Sequence, residues 1–133
     1  MAQPAMLQDL TFVVATERSM VPRDAEAFAR AVIRAICSAS VTPGVGQRTY
    51  ERCLRAVTTG ATARLGFRHP GKAEAVDRIW RERHRLYGEY LGSADKLAFL
   101  STLPWIGPVT RRALAFEWGL MSPSVDQERL AVA

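Results

Sequence analysis

The amino-acid sequence predicts an all-α fold, a single compact helical domain over residues 1–133. Apolar residues recur at helical spacing along most of the chain, and no stretch of useful length alternates apolar and polar residues as a strand does. Proline and glycine separate the helical patterns. With 133 residues, 48 % of them hydrophobic, the chain is long enough for one domain with a real core and short for two.

Two amphipathic helices are expected in the first half of the chain. Asp24 can cap the first helix, and residues 38–44, which contain serine, proline and glycine, end it. A second helix is expected from about Gln47 to Thr58, and Gly60 ends it. The apolar residues expected on the buried sides of these helices are Phe28, Val32, Ile33, Ile36, Cys37, Tyr50, Cys53, Leu54 and Val57.

The second half of the chain predicts one long helix and then a pair of short helices at about residues 95–118. The long helix follows His69-Pro70-Gly71, and Ser93 is expected to cap the first short helix. Pro108 suits the first position of the second short helix, which Gly119 ends. The apolar residues of these helices are Val76, Ile79, Trp80, Leu86, Tyr87, Tyr90, Leu97, Leu100, Leu114, Phe116 and Trp118.

Basic residues are concentrated in the middle of the chain. The net charge is +5, and residues 48–85 contain ten basic against four acidic side chains. Arg48, Arg52 and Arg55 recur at helical spacing, so we expect them on one side of the second helix, opposite its apolar side. Such a surface is either a solvated helix face or a site for the phosphate backbone of a nucleic acid.

Several classes of protein are not indicated by the sequence. No run approaches the roughly 18 apolar residues of a membrane helix and no secretory leader is evident, so we expect a cytoplasmic protein without a membrane partner. Cys37 and Cys53 lie on apolar helix sides and are expected to be buried thiols. His69 and His84 lack cysteine or carboxylate neighbours at ligand spacing, so neither a metal nor another cofactor is expected.

The segment between the two short helices, Leu103-Pro104-Trp105-Ile106-Gly107-Pro108-Val109-Thr110, has the composition of a tight turn. We expect Gly107 to let the backbone turn sharply and Pro108 to begin the next helix. Free backbone N–H groups and the positive end of the helix dipole would then be available to a phosphate. An ordinary turn between two helices is the alternative.

This segment resembles the helix-hairpin-helix element of DNA repair proteins, whose core reads L-P-G-[IV]-G-x-x-T, with Trp105 in place of the first glycine. Three further segments follow the order found in the helix-hairpin-helix DNA glycosylase superfamily, in its endonuclease-III-like group. Residues 37–42 resemble its L-S-A-Q-A-T segment, residues 66–76 its G-[LF]-x-x-x-K-A-x-x-[IV] segment, and Val125-Asp126 its V-D-x-H segment. The resemblance runs from about Asp24 to the C-terminus.

The resemblance implies a DNA-binding protein whose partner is double-stranded DNA, and it implies base excision as the activity. Ser40 and Tyr50 would line the pocket for an extruded base, and Asp126 would be the catalytic carboxylate. The residues that would contact DNA are Arg48, Arg52, Arg55, Lys72, Trp105, Gly107, Val109, Thr110 and Arg111.

Three departures from the family pattern narrow this expectation. Val109 stands where bifunctional members have a lysine nucleophile, so the implied enzyme is monofunctional. Glu128 replaces the histidine that follows the catalytic aspartate. No four-cysteine segment for an iron–sulfur cluster is present, and few residues follow Asp126, so the chain resembles a minimal or truncated member.

A second interpretation is a non-catalytic helical module for protein interaction or regulation. The arginine side of the second helix would then bind an acidic protein, and the hairpin would be only a turn. Asp126 would cap a final short helix. Affinity for DNA and its dependence on salt distinguish the two interpretations, because contacts with phosphates release counterions.

We predict that Asp126→Asn abolishes any base release while DNA binding persists or increases, because removing a negative charge near the phosphates lowers repulsion. The measurement is alkali cleavage of a panel of lesion-containing duplexes after incubation with each protein. Base release that persists in Asp126→Asn would contradict the assignment of Asp126. No release by the unaltered protein would favour the non-catalytic interpretation.

Overall fold

The computed structural model describes residues 21–120, and within them it contains six α-helices, one 3₁₀ turn and no strand. The all-α prediction is therefore confirmed. Pro22–Leu114 form one compact unit, whereas residues 115–120 fall outside it; a single domain over 1–133 stays a prediction. The helices are α1 (Ala25–Ser38), α2 (Pro43–Thr58), α3 (Pro70–Arg81), α4 (Arg83–Gly92), α5 (Lys96–Ser101) and α6 (Pro108–Glu117), and the 3₁₀ turn is Ala63–Leu65.

The core of the unit is the apolar side of α1, which packs against α2, α3 and α4. Asp24 caps α1 as predicted, since its Oδ1 accepts the Ala27 N–H at 2.7 Å. The ring of Phe28 contacts Tyr87 and Tyr90 of α4, with centroids 5.7 and 5.5 Å apart. The side chains of α1 with no exposed surface are Phe28, Ala29, Val32, Ile33 and Ile36. Burial of each large one contributes about 1.5–3 kcal/mol to stability.

Helix α2 begins at Pro43, four residues before the expected start at Gln47. Proline is favoured at the first helical position, but the two glycines that follow have low helix propensity and hide the start of the helix in the sequence. One of them has a packing role: a Cβ at Gly46 would lie 2.8 Å from Ser38 Oγ and 2.9 Å from Ser38 Cα. Gly46 thus lets α2 approach the end of α1 closely.

The expected long helix is instead two helices, α3 and α4, which meet at Glu82. One side chain occupies a backbone acceptor at this point. Arg83 donates to the Trp80 carbonyl at 2.7 Å and lies 4.3 Å from the centre of the Trp80 ring. The Glu82 carboxylate accepts from Arg85 and Arg78, and these hydrogen bonds lower the pKa of Glu82.

Two smaller expectations are also wrong. Asp95, not Ser93, caps the first short helix, because its Oδ1 accepts the Ala98 N–H at 3.0 Å while Ser93 ends α4. Phe116, expected on the buried side of the last helix, is 42 % exposed. It lies two residues after the buried Leu114, and this spacing places it on the other side of a helix.

The two cysteines meet in the core between α1 and α2. Cys37 and Cys53 are buried free thiols, as the sequence predicts. Cys53 Sγ donates to the Ala63 carbonyl at 3.8 Å. The neighbouring Cys53 thiol, together with burial, raises the pKa of Cys37. Among the described helices, none is long and apolar enough to cross a membrane.

We predict that Gly46→Ala lowers the free energy of unfolding by about 1–3 kcal/mol, because the new methyl group meets backbone and forces α1 and α2 apart. Gly44→Ala is the matched control in the same helix. A Cβ there meets only Arg48 at 3.6 Å, so the better helix propensity of alanine should add up to about 1 kcal/mol. Urea unfolding measures both. Equal stabilities of the two variants would contradict the close approach of α1 and α2.

Candidate nucleic-acid interface

The hairpin between α5 and α6 is held by two buried apolar side chains. Leu103 and Ile106 are each 5 % exposed, and the Ile106 N–H donates to the Leu103 carbonyl at 3.3 Å. Between them Trp105 has a φ of 62°, in the left-handed region that favours glycine. Trp105 occupies the place of the first glycine in the L-P-G-[IV]-G pattern. The backbone therefore has a conformation that glycine adopts easily, although the residue is tryptophan.

Gly107 does not supply the left-handed conformation of the turn, contrary to the expectation. It is absent from the positive-φ glycines, which within residues 21–120 are Gly60 and Gly119. A Cβ at Gly107 would meet nothing within 4 Å. The Gly107 carbonyl instead begins α6 by accepting the Arg111 N–H at 2.8 Å. A β-branched residue at Gly107 is thus expected to leave the fold intact.

Helix α6 begins at Pro108, as predicted, and presents its N-terminus to solvent. Val109 is 83 % exposed and Thr110 is half-buried. In any α-helix the N–H groups of the first residues have no acceptor within the helix. At the second and third helical positions these are the N–H groups of Val109 and Thr110, and the helix dipole adds partial positive charge. This arrangement suits an anionic oxygen.

A cleft of about 450 Å³ lies beside the hairpin and collects residues from three distant segments. Five of the predicted site residues line it: Ser40, Lys72, Trp105, Gly107 and Thr110. Within residues 21–120, Ser40 and Trp105 are also the non-glycine residues with positive φ, at 63° and 62°. Such conformations cost of order 1–3 kcal/mol and concentrate at functional sites. The cleft is therefore the strongest candidate site in the described part of the chain.

Lys72 joins the walls of this cleft. Its Nζ donates to the Ala39 carbonyl, just beyond the end of α1, at 3.0 Å. The same ammonium group lies 5.9 Å from the ring centre of Phe67 and 6.0 Å from that of Trp105. Its attraction to the two aromatic faces and to the carbonyl fixes a positive charge beside the hairpin.

The ring of Trp105 is half exposed and lies across the start of α3. Its edge contacts His69, with centroids 5.0 Å apart, and a Cβ at Gly71 would lie 2.9 Å from Trp105 Cζ2. His69 in turn caps α3 by accepting the Lys72 N–H on Nδ1 at 3.1 Å. His69 is not among the site residues that the sequence predicts, because its contact with Trp105 joins residues far apart in the chain.

Other predicted site residues lie away from the cleft. Tyr50 is 6 % exposed and covered by Arg34, whose guanidinium carbon lies 5.0 Å from the ring centre. Its buried position does not agree with a role in a base pocket. Arg48, Arg52 and Arg55 are exposed on α2. Arg52 and Arg55 line two different depressions, and their joint contact with DNA stays a prediction.

Of the remaining two predicted residues, the structure describes only one, Arg111. Arg111 lies in the first turn of α6, half-buried, with its backbone N–H already bonded to Gly107. Asp126 lies outside the described residues.

Comparisons with family models, with curated proteins and with solved structures gave no match for this chain.

We predict that Trp105→Gly is more stable than Trp105→Ala by about 1–2 kcal/mol, since only alanine keeps the cost of the left-handed backbone. Both variants lose the same ring contacts with His69 and Gly71, so each is the control for the other. Chemical unfolding followed by circular dichroism measures the difference. An alanine variant as stable as the glycine variant would show that Trp105 does not have a positive φ.

Proposed function

We propose that the protein binds DNA through the helix-hairpin-helix element formed by α5, α6 and the turn between them. The N–H groups of Val109 and Thr110 would contact phosphate oxygens, with the side chains of Thr110 and Arg111 beside them. The observation that carries the proposal is the cleft that unites Ser40, Lys72 and the hairpin. The cleft brings together residues from three of the segments on which the resemblance to DNA glycosylases depends.

The charge of the cleft supports an anionic partner. Lys72 is the charged residue among its lining side chains, and no aspartate or glutamate of the described residues lines it. The positive end of α6 adds to the same potential. A phosphate backbone satisfies both groups at once, whereas a peptide would need acidic side chains at matching positions.

We further propose that the bound DNA is a substrate for monofunctional base excision, in the manner that the resemblance implies. A cleft of about 450 Å³ with a half-exposed tryptophan in its wall offers space and a stacking surface for an extruded base. Asp126 would supply the carboxylate, a role that depends on the sequence motif alone. The Asp126→Asn assay tests this step separately from DNA binding.

The test of DNA binding is Val109→Glu. A glutamate in the first turn of α6 is compatible with the helix dipole, so the fold should be kept or stabilised by about 0.3–1 kcal/mol. The same carboxylate would repel a phosphate at the helix N-terminus. We expect the Kd for a fluorescently labelled duplex, measured by anisotropy, to rise by at least about tenfold, corresponding to 1.4 kcal/mol.

Leu91→Glu is the matched control, because Leu91 is an exposed apolar residue of α4, at 56 % exposure, and the substitution changes the net charge equally. Its effect on DNA binding should be small. Equal weakening by the two variants would show that net charge, and not the hairpin, determines binding. No binding of DNA by the unaltered protein at low salt would contradict the proposal and favour the protein-interaction module.

A further inference from the structure

A second depression of about 550 Å³ lies between α2 and the segment that connects it to α3. Three arginines from this part of the chain line it, together with Thr49, Gly66 and Phe67: Arg52, Arg64 and Arg68. No carboxylate of the described residues is among its lining side chains. We refer to this depression as the arginine groove. Arg64 and Arg68 are not among the site residues that the sequence predicts.

The arginines of the groove are among the described arginines that form no ion pair, in contrast to several others on the surface. Arg30, Arg78 and Arg85 each form an ion pair with a glutamate three or four residues away on the same or the adjoining helix. Arg52, Arg64 and Arg68 form no ion pair with a carboxylate of residues 21–120. Their positive charges are therefore not neutralised locally and attract an anionic ligand.

Contacts within the protein hold the residues of the groove in place. Asp77 of α3 holds the 3₁₀ turn that carries Arg64, accepting from Thr62 Oγ1 at 2.6 Å and from the Ala63 N–H at 2.7 Å. Gly66 lies directly on α2, since a Cβ there would be 2.8 Å from that of Arg52. The Arg52 guanidinium is aimed by bonds to the Gly66 carbonyl at 3.4 Å and to Thr49 Oγ1 at 3.5 Å.

A row of rings joins the arginine groove to the hairpin cleft. Phe67 lines the groove and lies 6.3 Å from the ring of His69, which lies 5.0 Å from that of Trp105 in the wall of the cleft. Lys72 Nζ is near both ends of the row, at 5.9 Å from Phe67 and 6.0 Å from Trp105. Positive charge and aromatic side chains thus continue from one depression to the other.

We propose that the arginine groove is a second phosphate-binding subsite, which holds the backbone of the DNA whose other phosphates lie at the hairpin. This inference depends on the proposed function, because it extends the same DNA across the Phe67–His69–Trp105 row. Guanidinium groups match phosphate oxygens in geometry and remain charged at any physiological pH. Three guanidinium groups in one depression can bind a phosphate with full positive charges, whereas a helix N-terminus offers only partial charge.

The test compares two double variants with the same change in net charge. Arg64→Ser/Arg68→Ser removes two charges from the groove, and Arg30→Ser/Arg85→Ser removes two arginines that are already paired with glutamates. For each we would measure duplex affinity by anisotropy over a range of salt concentrations. The groove variant should make the negative slope of log K against log salt shallower by about two units and raise the Kd at least about tenfold, whereas the control should keep the slope.

Arg64→Lys/Arg68→Lys provides a rescue, because lysine keeps the charge and should restore most of the salt slope. Circular dichroism establishes that each variant is folded. If the unaltered protein binds DNA and Val109→Glu weakens it, but the slope of the groove variant is unchanged, the groove is not a phosphate subsite and the hairpin proposal stands. If the unaltered protein does not bind DNA, both proposals fail.

Discussion

The burial of α1 is the constraint on which the rest of the described structure depends. Its apolar side is covered by α2, α3 and α4, so these helices are fixed around it. Just past the end of α1, the Ala39 carbonyl accepts a hydrogen bond from the Lys72 ammonium group of α3. This bond connects α3 to the end of α1. Trp105 then packs over the start of α3 through His69. A core formed by one helix therefore sets the distance between the Ser40 turn and the hairpin, and through them the shape of the cleft.

The sequence predicted those parts of the fold that depend on local chemistry. The Asp24 cap, the helix ends at Gly60 and Gly119 and the start of α6 at Pro108 all follow from residues next to the boundary. The errors occurred where tertiary contacts override local preference. Gly46 in α2 lies directly against Ser38, and at the break near Glu82 the Arg83 side chain bonds to the Trp80 carbonyl.

The residues of the candidate site were predicted unevenly for a related reason. Ser40, Lys72, Trp105, Gly107 and Thr110 line one cleft. The left-handed residue of the hairpin is Trp105 rather than Gly107. Charge counting located the basic segment but did not distinguish paired from unpaired arginines. That distinction depends on where each side chain meets a carboxylate, and it separates Arg64 and Arg68 from Arg78 and Arg85.

The central claim is that the N-terminus of α6 contacts the DNA backbone, and amide NMR of the ¹⁵N-labelled protein titrated with a short duplex tests it most directly. The account predicts that the largest shifts occur at the amides of Val109 and Thr110 and at the Trp105 indole, and that these shifts diminish as salt is added, because salt weakens phosphate contacts. If DNA binds but these three signals do not shift, the contact between α6 and the DNA backbone is contradicted.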